Sequence, residues 1–184
     1  MDERKIEFID DDRQPVRSLF RLRIPSLVIG LFLGVSISFA ASRFEEVLEK
    51  NVSVAFFIPF IVYLADAVGT QTQNIYTRDL KSGKASFRKY LAKESALGVL
   101  FGFTFGLASL AFVMLWFSSI DLALAVSLSL FGSVATAPII ALLITEVLHL
   151  EHTDTAAAAG PIATVVQDTV SILIYGFIAS AIIL

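Results

Sequence analysis

"YLADAVGTQTQNIYTRDL", residues 63–80, closes an apolar run that opens at Val52, and its reading decides what kind of chain this is. Wound as a helix, the stretch puts Asp66, Thr70, Gln73 or Asn74, and Thr77 on one face. The run from 52 to 77 is then long enough to cross about 30 Å of hydrocarbon, which takes roughly 20 residues. A charged carboxylate near the middle of such a span costs on the order of 2.5–3.5 kcal/mol on insertion scales, so Asp66 should face a bundle interior or a water-filled path rather than lipid.

The rest of the chain agrees with a membrane setting. Of its 184 residues, 56% are hydrophobic and 17% charged, with mean hydropathy +0.78, far more apolar than a soluble domain. Further runs of spanning length lie at 24–41, 95–117, 122–148 (interrupted by Pro138) and 161–184. The expected fold is an all-α integral membrane protein with five transmembrane helices. Residues 1–23 form a cytoplasmic N-terminal arm and residues 24–184 a single transmembrane domain.

All 14 Lys and Arg residues precede residue 94, with six in 1–23, two (Arg43, Lys50) in the first loop and six in 78–93. Short loops rich in basic residues stay inside, so this distribution predicts a multi-pass protein of the cytoplasmic membrane with its N-terminus inside and C-terminus outside. The first run could alternatively be a signal sequence, since "SISFAAS" (36–42) offers small residues for cleavage. Its charged leader and apolar run are both longer than the usual signal plan.

Packing signals accompany the spans. Gly98, Gly102 and Gly106 repeat at four-residue spacing, as do Gly30 and Gly34, which predicts interhelical seams where backbones approach closely. Residues 84–93, "KASFRKYLAK", read either as a short helix lying on the anionic membrane surface or as an exposed polar loop.

Away from the helix ends the spans hold only two acids, Asp66 and Asp168, and no basic residue to pair with them. The obvious compensating partner is a cation from outside the protein. Span five continues the theme with Thr164, Ser171 and Tyr175 on the Asp168 face, and span four adds Ser129, Ser133 and Thr136 before Pro138, which frees a backbone carbonyl. Oxygen donors without cysteine or an in-span histidine suit hard cations such as Mg²⁺, Ca²⁺ or Mn²⁺. Asp66, Thr70, Gln73, Thr164 and Asp168 are therefore the candidate metal-contacting residues. The competing reading has the hydroxyls bonded back to their own helices and the Asp residues protonated as interhelical glue.

Two segments carry a resemblance. "PFIVYLADAVGTQTQNIYTRDL" (59–80) resembles the glycine-rich, GTQ-containing second helix of MgtE-type magnesium transporters, and "DTAAAAGPIATVVQDTVSILIYGF" (154–177) is similar to that family's fifth helix. The resemblance covers about 24–184 and implies a homodimeric Mg²⁺ channel or transporter with its pore at the subunit interface. By the same resemblance the ion-coordinating aspartate falls on Asp168 and the motif's first threonine on Thr164. The family's pore asparagine falls on Ala67, while Asp66 stands where relatives have glycine, a departure that bears on ion choice, with Ca²⁺, Mn²⁺ or Co²⁺ as alternatives to Mg²⁺. Members usually carry a cytoplasmic acidic domain and paired CBS domains, which these 184 residues do not contain, so such gating is expected to be absent, supplied by another protein or built into loops.

The expected partners are a second copy of the chain, the lipid bilayer and the cation itself, with no nucleic acid and no organic cofactor. No P-loop appears in the sequence and no hydrolytic motif falls within the spans, so the expectation is transport and not catalysis. The membrane potential supplies about 2.3 kcal/mol per charge per 100 mV, enough to drive uptake. A Na⁺- or H⁺-coupled exchanger and a non-transporting membrane subunit are the alternatives. The loop 146–155 carries Glu146, Glu151, Asp154, His149 and His152 and would attract or sense cations at the cytoplasmic mouth.

Overall fold

The computed structural model describes residues 12–151 and 155–184, the side chains of 155–158 excepted. Among the described residues the chain is entirely helical: α1 (Val16–Ser42), α2 (Glu45–Lys50), α3 (Ser53–Lys81), α4 (Phe87–Phe117), α5 (Ile120–Leu150) and α6 (Thr155–Ile183). All but α2 are long and apolar enough to cross a membrane.

Two boundaries differ from the sequence reading. Helix α1 begins at Val16, inside the segment expected as an arm. Residues 87–93 are neither a separate surface helix nor a loop; they form the first turns of α4, placing Glu94 well inside that helix. The short α2 was not expected at all, because six residues of "EEVLEK" carry too little periodicity to stand out. Its buried Val47 and the preceding Phe44 anchor it, with the Phe44 ring lying over Gly176 of α6 where no Cβ would fit.

Helix α5 is the central element, packed against α3, α4 and α6. It is apolar on every side, as a helix surrounded by others must be, and it presents Ala123, Ala125, Ser129, Ser133 and Ala137 as fully buried small residues. Against it α4 comes closest. A Cβ on Gly98 would sit 2.8 Å from the Ala135 carbonyl oxygen and one on Gly102 2.7 Å from that of Phe131, so these glycines set the helix separation. The seam expected from Gly98, Gly102 and Gly106 is therefore present. Within one protomer no such seam forms at Gly30 and Gly34: Gly34 meets nothing within 4 Å and Gly30 only approaches Val165, since α1 leans mainly on α6.

The connections are tight where the helices are antiparallel neighbours. Ser118 in the left-handed region (φ 51°) ends α4, and the Ser119 hydroxyl accepts from Leu122 N–H at 3.3 Å to start α5. After α3, Gly83 (φ 68°) lets its own N–H reach Leu80 O and that of Lys84 reach Asp79 O, closing the helix end. The outer faces of α1 and α4 remain apolar and exposed, with Leu31, Phe32, Phe39, Leu100, Phe103 and Leu115 among them, the surface a bilayer covers.

Candidate functional site: a polar seam between α3, α5 and α6

Antiparallel packing of α3 and α6 brings their midpoints together, and both intramembrane acids sit there. Thr164 Oγ1 donates to Asp66 Oδ1 at 3.0 Å, tying the two helices. One turn further along α6, Asp168 is half-buried, and its Oδ1 is shielded from solvent with no hydrogen-bond partner among the described residues.

Asp66, Thr70 and Gln73 line one small cleft with Gly69, Ala137 and Gln167. Gly69 faces α5, where a Cβ would make ordinary van der Waals contact with Ala137, 3.5 Å from its carbonyl oxygen. Gln73 reaches the start of α6, where its Nε2 lies 3.8 Å from the position a Cβ on Gly160 would take. The candidate residues from the sequence thus divide into a cleft group (Asp66, Thr70, Gln73), a bridging residue (Thr164) and Asp168, which stands outside the cleft wall. Among the described residues no three His, Cys, Asp or Glu side chains gather closely enough to hold a metal within one protomer.

Several expected oxygen donors are used internally. Ser129 donates to Ala125 O at 2.6 Å, and Thr136 donates to Gly132 O and Ser133 O, so for these two the back-bonded reading holds. Tyr175 is buried and donates to Val54 O at 2.9 Å, a tie between α6 and α3 rather than a pore ligand. Glu146 does not stand free at a mouth, because it accepts a 2.6 Å bond from buried Tyr76. His152 and Asp154 lie outside the described residues.

Two polar residues, Glu94 and Gln167, escaped the sequence reading, and Tyr90 entered it only as part of the 84–93 segment. Glu94 of α4 accepts from Thr72 at 2.7 Å. Tyr90 donates to Asp79, its ring 4.9 Å from that of Tyr76. These pairs knit α3 to α4 at the basic end of the bundle. Gln167 is buried between α5 and α6; its signal in the sequence is an amide directly before the intramembrane Asp168.

Residues 58–178 match the family model MgtE, described as a divalent cation transporter. The chain belongs to this family. It is 29% identical over 164 residues to the magnesium transporter MgtE of Bacillus subtilis, an alignment that takes in 88% of this chain and 36% of that protein. To the magnesium transporter MgtE of Enterococcus faecalis it is 30% identical over 161 residues, covering 86% of this chain and 36% of the relative. The Thermus thermophilus magnesium transporter MgtE is 26% identical over the same coverage. The chain spans about a third of the length of these MgtE relatives, and the matched region contains α4, α5 and nearly all of α3 and α6, hence the whole polar seam.

Proposed function

We propose that the chain moves a divalent cation, Mg²⁺ first, across the membrane along the face where α3 meets α6, in a two-fold dimer that sets two Asp168 carboxylates across one axis. The observation that carries this reading is the buried Oδ1 of Asp168 at mid-helix, without a hydrogen-bond partner among the described residues. An acid at that depth calls for a counter-charge, and no lysine or arginine stands in the middle of any of the five long helices. One protomer gathers no three acidic or imidazole ligands among its described residues, and a second copy would add a second Asp168 carboxylate to the path.

Mg²⁺ keeps several of its waters and is held by one or two carboxylates. Two Asp168 side chains with Thr164 hydroxyls nearby are the ligands for such a partly hydrated ion. The names of the relatives support Mg²⁺ as substrate, and a charge of +2 moving inward gains about 4.6 kcal/mol per 100 mV. With the amino terminus inside, the basic segments 13–23 and 78–93 lie on the cytoplasmic side.

Purified chain in liposomes tests the proposal directly. A Mg²⁺ gradient should produce flux in the wild-type chain, and Asp168→Ala should lower it at least a hundredfold while the variant still elutes as the wild-type oligomer. Undiminished flux in that variant would remove Asp168 from the path.

A further inference from the structure

Gln167 is 3% exposed. Its Nε2 donates to Ser133 O at 3.3 Å and to Ser171 Oγ at 3.2 Å. The Ser133 carbonyl can only accept, so the amide nitrogen must face α5, which fixes the amide oxygen on the opposite side. That oxygen, Oε1, is buried and has no donor among the described residues. A buried acceptor left without a partner costs about 1–3 kcal/mol, which a positively charged guest would recover.

The surroundings say which guest. Gln167 lines the cleft with Asp66, Thr70 and Gln73, and Asp66 is the one carboxylate in that wall. The cavity has a volume of about 10 Å³, close to the space needed for one water molecule. That is too little for Mg²⁺ with its retained waters. A single carboxylate among neutral oxygens balances a single positive charge.

We propose that this cleft binds one monovalent cation of the Na⁺ class, largely stripped of water, with the Asp66 carboxylate, the Thr70 hydroxyl and Gln167 Oε1 as its oxygen ligands. The site lies within one protomer and is separate from the Asp168 position. Occupancy neutralises Asp66 and so changes the field at Asp168, linking monovalent binding to divalent movement; that use, though not the site itself, rests on the transport reading above.

Thermal unfolding of the purified full chain in detergent, with NaCl against N-methyl-D-glucamine chloride at equal ionic strength, tests it. Na⁺ should raise the midpoint saturably. Gln167→Met, which keeps the length and loses the oxygen, should weaken the apparent Na⁺ affinity at least tenfold. Thr70→Val, at an exposed position of the same cleft, is the second variant should Gln167→Met fold poorly, and should weaken Na⁺ severalfold. Equal midpoints in the two salts, unchanged Na⁺ affinity in the folded variants, or a Mg²⁺ shift that Na⁺ cannot compete would each overturn the site. A wild-type chain that carries Mg²⁺ in liposomes without a Na⁺ shift defeats this site alone; one with the shift and no Mg²⁺ flux defeats the transport reading alone.

Discussion

Asp66 and Asp168 are alike in the sequence and unlike in the structure. Asp66 is held by Thr164 and opens onto a cleft; Asp168 keeps an oxygen with no hydrogen-bond partner among the described residues. Asp66→Asn retains an acceptor for Thr164 and removes the charge, so it should leave expression intact and shift the Mg²⁺/Ca²⁺ flux ratio severalfold; an unchanged ratio would show that Asp66 faces away from the ions. Tyr175→Phe is the control for a polar residue that is only structural. It deletes the bond to Val54 O, should lower stability by about 1 kcal/mol, and should leave that ratio as it was. The sequence showed both acids because a carboxylate in an apolar run is conspicuous on energetic grounds alone. It did not show Gln167, because an uncharged amide in a helix is unremarkable until its neighbours are known.

At the scale of elements, glycines of identical spacing do different things. On α4, Gly98 and Gly102 meet α5 backbone oxygens at 2.8 and 2.7 Å from a Cβ position, so Gly102→Ala must push the helices apart. The expected cost is about 1–3 kcal/mol, seen as a lower unfolding midpoint in detergent. Gly34→Ala meets nothing within 4 Å and should change the stability of a protomer by less than about 0.5 kcal/mol. A large loss of stability from Gly34→Ala would mean that α1 packs more closely than its contact with α6 indicates. Spacing shows that a helix offers a smooth stripe; only packing shows whether another backbone lies against it. Helix starts at 16 and 87 lie outside the apolar runs for a related reason. Hydropathy marks where lipid begins, while helical hydrogen bonding continues past the interface through Arg21, Arg88 and Lys89.

For the whole molecule, the absence of cysteine makes orientation easy to measure. Single replacements Ser82→Cys, between α3 and α4, and Ser118→Cys, between α4 and α5, should react with a membrane-impermeant thiol reagent from opposite sides, Ser82→Cys from the cytoplasm. Labelling of both from one side would contradict the five-span arrangement. The sequence by itself determined the class of this protein. Its five apolar runs, its basic residues confined before residue 94 and its two intramembrane acids follow from the cost of placing charge in hydrocarbon, which is a property of composition and order along the chain. The tertiary structure alone decided how those polar groups are used. Whether a hydroxyl bonds its own helix, ties two helices or faces a cleft depends on which face meets which neighbour, and that is fixed by the packing of α3, α4 and α6 around α5. Ser129 and Thr136 turned inward to their own backbone, Tyr175 and Glu146 became interhelical ties, and Gln167, with its oriented oxygen, joined Asp66 in the cleft.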